Sequence, residues 1–381
     1  MAFFRRPPGP LVDGGFMVET LYSGLSAGTE LSFVKGTNPA VTSGWDADLG
    51  IFDAARPGSG YPVRSLGYME VGRVVTSRSA AVVPGDLVAM RYGHADSHTA
   101  GPDEFFVPLP PGLDPVLGVL VAHMGPICAN GVLHAAAEAR TSPDPGLADG
   151  VRDRRVLVIG AGVVGLLTGL FARHHGAAEV AVVDPTAERL DAAAGLGLTP
   201  IDETAVPAWQ WAKERWVHGP ADRGADVVFQ CRGQASSLAT ALRSLRPQRT
   251  VIDLAFYQGG AEEVRLGEEF HHNGLGIRCA QIGRVPLGTD RTWNRRRLAA
   301  ATVDLLLAWG DAVRDALVTD VVPIEAAPGF VADIAARRRH ALQVVFAFAP
   351  TQRPPTAAGD DRAGDRRVGD GHPDDRRMTS S

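Results

Sequence analysis

The chain has 381 residues, 45% of them hydrophobic and 21% charged, which suits a globular protein of two or three domains with a full core. Its formal net charge of −5 offers no basic surface for nucleic acid or for an anionic membrane. No apolar run reaches the roughly 18 residues of a membrane-spanning helix, and "MAFFRRPPGP" lacks the apolar stretch of a secretory signal.

From the N-terminus, residues 11–110 are rich in Gly, Pro and short apolar runs. "GFMVETLYSG", "EVGRVVTS" and "GDLVAMRYG" read as strands separated by turns, so this region is expected to be mostly β with irregular loops. "ICANGVLHAAAEA" reads as a helix, and the polar "TSPDPGLADGVRDR" after it as a linker. From residue 154 strands and helices alternate. "RRVLVIG", "AEVAVVD", "GADVVFQC", "RTVIDLAFY" and "LGIRCAQI" are strands, with helices such as "PTAERLDAAAGLG" and "ASSLATALRSL" between them. That alternation predicts an α/β unit with a parallel sheet covered on both faces. "RRRLAAATVDLLLAWGDAVRDAL" is one more helix and "ALQVVFAF" a last strand. Beyond Pro350 the chain is rich in Asp, Arg, Gly and Pro, too polar to offset the entropy of ordering, and a disordered tail is expected over 350–381. Cys128, Cys231 and Cys279 are far apart and odd in number, which fits a reducing cytoplasm and no disulfide framework.

"VLVIGAGVVG" places Gly160, Gly162 and Gly165 in a G-x-G-x-x-G pattern that follows a strand and opens a helix. The three glycines serve a tight turn, the approach of backbone N–H groups to a pyrophosphate, and close packing of helix on strand. Val163 and Val164 start the helix whose N-terminus would face the phosphates. Asp184 ends the second strand, where a carboxylate accepts from the ribose hydroxyls and repels a 2′-phosphate, so NAD is expected over NADP. Arg189 follows one turn later and joins the expected cofactor contacts.

A β-rich first half followed by such a unit resembles the medium-chain dehydrogenase/reductase family over roughly residues 15–349. "VPGDLV" and "GADVVFQCRG" are similar to two of its segments. The resemblance implies a GroES-like β-rich catalytic domain plus a Rossmann doubly wound parallel-sheet domain. Residues 1–150 and 312–349 would form the first and 151–311 the second. Zinc members of the family carry a G-x-C-G-[ST]-D segment and a G-H-E-x-x-G segment. In this chain the matching stretches are "GLSAGTE", with Ser26 or Ala27 in place of the thiolate, and "GYMEVG", with Tyr68 in place of the histidine. The chain therefore resembles the zinc-free subgroup that includes bacteriochlorophyllide a dehydrogenase-like oxidoreductases. No metal site is expected, and three dispersed cysteines cannot form a four-cysteine structural zinc lobe.

The resemblance implies hydride transfer between NAD and a secondary alcohol, polyol, cyclitol or matching ketone. Without zinc, a side chain must polarise the oxygen or move its proton. Thr29 matches the family's relay hydroxyl, or else it bonds backbone in a turn. Tyr68 is a phenol at the lost ligand's place, or else a core tyrosine. His94 is a candidate base, His98 a weaker one, both in "YGHADSH". Glu70 reads as a surface or supporting carboxylate. His271 and His272 read as helix-end packing, and Arg295, Arg296 and Arg297 as a solvated helix start or a phosphate patch. Two alternatives stand beside this: a zinc enzyme using Cys128, His123, His94 and Glu70, and an NAD-binding protein without turnover. The expected partners are a small-molecule substrate and further copies of the chain as a homo-oligomer, with no nucleic acid and no membrane.

Overall fold

The computed structural model describes residues 2–5, 7–139 and 142–349. The chain runs through β1 (Phe16–Gly24), α1 (Ala27–Lys35), α2 (Pro39–Thr42), the hairpin of β2 (Ser43–Asp46) and β3 (Ile51–Pro57), β4 (Glu70–Ser77), β5 (Leu87–Met90), β6 (Ser97–Ala100), β7 (Val107–Pro108) and α3 (Met124–Ala139). The alternating half follows: β8 (Arg155–Ile159), α4 (Val163–His174), β9 (Glu179–Asp184), α5 (Ala187–Gly195), β10 (Thr199–Asp202), α6 (Ala208–Arg215), the small pair β11 (Val217–Gly219) and β12 (Asp222–Arg223), β13 (Val227–Gln230), α7 (Ala235–Ser244), β14 (Thr250–Asp253) and β15 (Gly276–Cys279). The long helix α8 (Arg295–Leu317), β16 (Val318–Pro323), α9 (Ala327–Ala335) and β17 (Gln343–Ala347) complete the described chain.

Two sheets organise these elements. In the first, the order is β16-β17-β1-β4-β5-β7, and β6 also pairs with β1. The C-terminal β17 lies antiparallel to β1, so the end of the chain returns to the sheet where it began. The second sheet has the order β10-β9-β8-β13-β14-β15, with every pairing parallel. Its order reverses between β8 and β13, which makes the ends of those two strands the switch point where such sheets bind ligands. β8, β9 and β13 are buried almost end to end, as strands covered on both faces must be. This is the expected α/β architecture, with a β-rich domain joined to a doubly wound one.

Two local expectations are corrected. Residues 27–42, placed by the sequence in a β-rich region with irregular loops, form α1 and α2. Gly36 in the left-handed conformation (φ 72°) ends α1, and the Asn38 side chain caps α2. The segment read as a linker packs tightly: Leu147 and Val151 are buried, and Trp293 Nε1 donates to Pro145 O at 2.9 Å. The expected tail, 350–381, lies outside the described residues. Among the described residues no helix is long and apolar enough to cross a membrane.

α3 holds the two halves together because it packs against both α4 and α8. Gly125 sits where α3 crosses Thr302 of α8, and an added Cβ would run into both γ atoms and the Cβ of Thr302. Gly125→Ala is therefore expected to cost about 1–3 kcal/mol through overpacking, read as a fall in Tm. Adding Thr302→Ala should recover part of the loss. Equal Tm for wild type and Gly125→Ala would show that this crossing is loose.

Candidate active site

The dinucleotide turn sits at the switch point. Gly160 takes φ +101°, and a Cβ there would meet the Arg232 Cβ at 3.1 Å. A Cβ on Gly165 would overlap the carbonyl of Gly160, so the first turn of α4 requires glycine to pack on β8. Gly162 has open space where its Cβ would be, and it is the N-cap of α4. Val163 and Val164 open that helix with free N–H groups, as a pyrophosphate requires. These features fit a dinucleotide.

Asp184 lies at the end of β9 and is 1% exposed. Its Oδ2 accepts from Ala161 N at 2.9 Å and its Oδ1 from Thr186 N at 3.0 Å. Two guanidiniums flank it, Arg189 at 3.6 Å and Arg232 at 3.9 Å. A carboxylate offers about four lone-pair sites, so acceptor capacity remains for a ribose after the two backbone bonds. The sequence pointed to Asp184 and Arg189 but not to Arg232, which reaches the site from the end of β13.

Tyr68 precedes β4, and its hydroxyl bonds to the Ser26 hydroxyl and donates to Thr29 Oγ1 at 3.3 Å. Its ring meets His123 edge-on, with centroids 4.4 Å apart. Burial raises the Tyr68 pKa, outweighing its hydrogen bonds with Ser26 and Thr29, and the Glu30 charge adds to the rise. Tyr68 is thus a neutral phenol at ordinary pH, fitted to donate a hydrogen bond. His123 stands just before α3 and is held as a neutral acceptor. Burial, then the charges of Arg295 and Arg91, push its pKa down to about 3, and Arg295 Nη1 lies 3.0 Å from its Nδ1. From His123, α3 runs toward the dinucleotide turn, where Cys128 Sγ donates to Val164 O at 3.4 Å. A continuous packed path therefore links the phenol to the first turn of α4.

His94 does not present a free nitrogen to this site. Its Nε2 lies 2.7 Å from Glu30 Oε2 and its Nδ1 2.6 Å from Ser23 Oγ. Ser23 in turn donates to Glu70 Oε1 at 3.1 Å, and Glu70 Oε2 accepts from Tyr92 N at 2.9 Å. Glu70 is fully buried, not the surface carboxylate the sequence allowed. A doubly protonated imidazole satisfies this chain, with one N–H to Glu30, the other to Ser23, and the serine proton to Glu70. Burial opposes that charge, but the Glu30 hydrogen bond and the charges of Glu30 and Glu70 prevail and raise the His94 pKa. Glu30 also accepts from Ser26 N at 2.7 Å. With the helix start satisfied this way, the Ser26 hydroxyl makes no capping bond and is free for Tyr68. Ser23, Ser26 and Glu30 escaped the sequence reading as partners. The one signal was a glutamate four residues after a serine at a helix start.

The remaining candidates separate from this group. His98 pairs with Glu104 Oε1 at 2.8 Å and stacks on Tyr92. His271 and His272 are exposed and touch each other edge-on. Cys128 is fully buried, and burial pushes its thiol up to about 12, far from thiolate. Among the described residues no three His, Cys, Asp or Glu side chains converge as a metal-holding group. Hydroxyls and a phenol fill the position between α1 and β4, and this donor set does not fit a catalytic zinc.

A sheet order of this kind beside a β-rich sheet that recovers the C-terminus, with a glycine turn at the switch point, defines a two-domain dinucleotide-dependent dehydrogenase fold. The comparisons with known proteins agree. The family described as "Zinc-binding dehydrogenase" matches residues 163–293. The D-guloside 3-dehydrogenase of Escherichia coli is 32% identical over 164 residues, 42% of this chain and 46% of that protein. The match thus spans about half the length of that curated relative. Galactitol-1-phosphate dehydrogenase from Escherichia coli has the same fold, with TM-score 0.66 at 17% identity over 91% of this chain and 96% of that one. A Sinorhizobium meliloti structure solved with NADP bound aligns with TM-score 0.64 at 20% identity, over 89% of this chain and 93% of that one. The chain has the medium-chain alcohol dehydrogenase fold, and its cofactor half carries the sequence pattern of the zinc-binding dehydrogenases.

The Glu30–His94 pair generates a stability prediction. The side chains are 2% and 11% exposed, and removing one partner of such a pair costs about 3–5 kcal/mol. His94→Ala should lose that much in urea unfolding at pH 7, and Glu30→Gln/His94→Ala should recover part of it. A raised histidine pKa stabilises fully below the ordinary value of about 6.5 and loses that contribution as pH rises through the raised value. Glu70, raised by burial against the His94 charge and the N–H groups of Gly93, Tyr92 and Met69, has the same sign. Wild-type stability should therefore fall as pH rises above about 6.5, and the double variant should fall less. Parallel pH profiles would remove the charge from His94.

Proposed function

We propose that the chain is an NAD-dependent dehydrogenase, without catalytic zinc, that moves a hydride between the nicotinamide and a secondary alcohol, polyol, cyclitol or matching ketone. Residues 1–150 and 312–349 serve as its catalytic domain and 151–311 as its cofactor domain. One observation carries the reading. At the place where the resembling zinc enzymes have a ligand, Tyr68 stands as a neutral phenol bonded to Ser26 and Thr29. Gly160, Gly162, Val163, Val164 and Gly165 would hold the pyrophosphate, and Asp184 and Arg189 the adenosine ribose. The bound nicotinamide supplies the hydride-accepting carbon.

The rest falls to side chains of this chain. The Tyr68 phenol oxygen meets the substrate oxygen, and the proton it takes from the alcohol stays hydrogen-bonded to that oxygen and steadies the negative charge that develops there during oxidation. As the alcohol loses its proton to the phenol oxygen, Tyr68 passes its own along its bond to Thr29 Oγ1, and the half-buried Thr29 hydroxyl releases its proton to water, so neither a phenolate nor an oxonium accumulates. Ser26 holds the phenol oxygen in place. His123 packs against the ring as a neutral imidazole and takes no part in proton transfer. His94 is a positioning residue: it fixes Glu30, and through Glu30 the start of α1 that carries Ser26 and Thr29.

Tyr68→Phe tests this assignment, because it keeps the ring and removes the proton. General acid–base help is worth roughly 10²–10⁴-fold, so turnover of protein with no stoichiometric zinc by elemental analysis should fall by at least the low end. NAD affinity should hold. A loss of about 1 kcal/mol in stability with turnover intact would make Tyr68 a core residue, and stoichiometric zinc would overturn the zinc-free reading.

Cofactor preference has an observation on each side. The Asp184 carboxylate disfavours a 2′-phosphate, while Arg189 and Arg232 beside it would attract one. The carboxylate is the more fixed group, tied by two backbone N–H bonds, and Arg232 is already drawn to Glu203 at 2.5 Å. NAD should therefore bind more tightly than NADP in fluorescence titration, and Asp184→Ser should narrow or reverse the difference. Tighter NADP binding by the wild type would transfer the selectivity to the arginines.

A further inference from the structure

Beside Tyr68 and His123 lie three guanidiniums without anionic partners. Arg295 and Arg296 occupy the first turn of α8, and Arg91 follows β5. Arg91 and Arg296 both stand over the Phe105 ring, with Cζ 5.9 Å and 5.7 Å from its centroid. Arg295 reaches His123, whose ring touches Tyr68. The ion pairs among the described residues include none of these three arginines, and Arg295's one side-chain partner is a neutral imidazole. The carboxylates whose charge reaches Arg91 are Glu104 and Glu70. Glu104 is already paired with His98, and Glu70 is held by Ser23 and Tyr92 N–H.

Such a cluster is electrostatically unfavourable by itself. Cations at a helix N-terminus oppose the helix dipole, which favours negative charge there. The guanidiniums repel one another, and burial and that repulsion lower the pKa of Arg295. Arg297, on the same turn, shows how an arginine without such a task settles: it stacks on Trp293 at 4.0 Å and donates to Thr292 O at 2.7 Å. Arg91 and Arg296, both exposed, and the half-buried Arg295 instead leave most of their N–H groups without a protein acceptor among the described residues.

We infer that Arg91, Arg295 and Arg296 form an oxyanion subsite, and that the substrate is an alcohol or ketone carrying a phosphate monoester or a carboxylate at the end remote from the reacting carbon. Guanidinium forks match either group bidentately. The helix start adds its own N–H groups and dipole. The inference rests on the dehydrogenase reading for the reaction but not for the binding.

The test compares matched ligands on the NAD-loaded protein: a neutral hexitol, its 1-phosphate and the corresponding aldonate. Calorimetric binding and NADH formation are both measured. The phosphate, the aldonate or both should bind and turn over better than the neutral compound, and the better of the two identifies the anion. Hydrogen bonds to charged groups imply a loss of about 10- to 100-fold in affinity for Arg295→Gln and for Arg296→Gln. Neutral hexitol and NAD binding should not change in these variants, and Arg297→Gln should behave as wild type. Anion binding without NADH formation would sink the dehydrogenase reading and leave the subsite standing. Neutral hexitols preferred over both anions, or anion binding insensitive to Arg91→Gln, Arg295→Gln and Arg296→Gln, would overturn the subsite while leaving the dehydrogenase intact.

Discussion

One buried charge arrangement sets the geometry of the first domain. His94 stands between Glu30 and, through Ser23, Glu70. Those four residues come from α1, β1, β4 and the segment after β5. Neither carboxylate is exposed enough for water to solvate it, so both depend on the His94 imidazole and on donated hydrogen bonds. The arrangement therefore holds the start of α1 against the sheet at one register. Because Glu30 closes the first turn by accepting from Ser26 N, the serine hydroxyl points elsewhere, and Tyr68 receives it. Electrostatics in the core thus decides which hydroxyls meet at Tyr68.

The second domain depends on a steric constraint. Gly165 packs so close to Gly160 that no side chain fits, and this draws the start of α4 onto the end of β8. Asp184 accepts from Ala161 N, so the neighbouring strand stiffens the same turn. α3 connects the two constraints. His123 at its start faces Tyr68, Cys128 bonds the carbonyl of Val164, and Asn130 Nδ2 donates to Arg284 O at 3.0 Å. A helix that touches the phenol's neighbour, the dinucleotide turn and the loop after β15 leaves little freedom between the proposed proton path and the cofactor.

The sequence revealed the parallel sheet because its signals are local. Each buried strand is a short apolar run, and each glycine of the turn answers to a backbone need that reads directly from spacing. The long helix α8 was legible for the same reason. α1 was not, because "AGTELSFVK" has little apolar periodicity and is held by Glu30 and Gly36 more than by propensity. At the site, Tyr68 and Ser26 were visible as replacements within a pattern and Thr29 as a match to it, but the bonds that join Tyr68 to Ser26 and Thr29 were not. His94 looked like a free base because its neighbours in the chain are polar. Its partners Glu30 and Ser23 lie more than 60 residues away in sequence, at separations of 64 and 71, and only the fold brings them together.

The arginines show the same limit from the other side. Three consecutive arginines at a helix start read as a solvated face or a phosphate patch, since nothing in the local sequence says what they meet. In the fold, Arg295 meets an imidazole that burial and positive charge keep neutral, and Arg296 shares Phe105 with an arginine from the other end of the chain. Tyr68 and Arg295 meet the same imidazole, His123. A phosphate monoester or a carboxylate bound beside these guanidiniums would supply the anionic partner that no described side chain gives them.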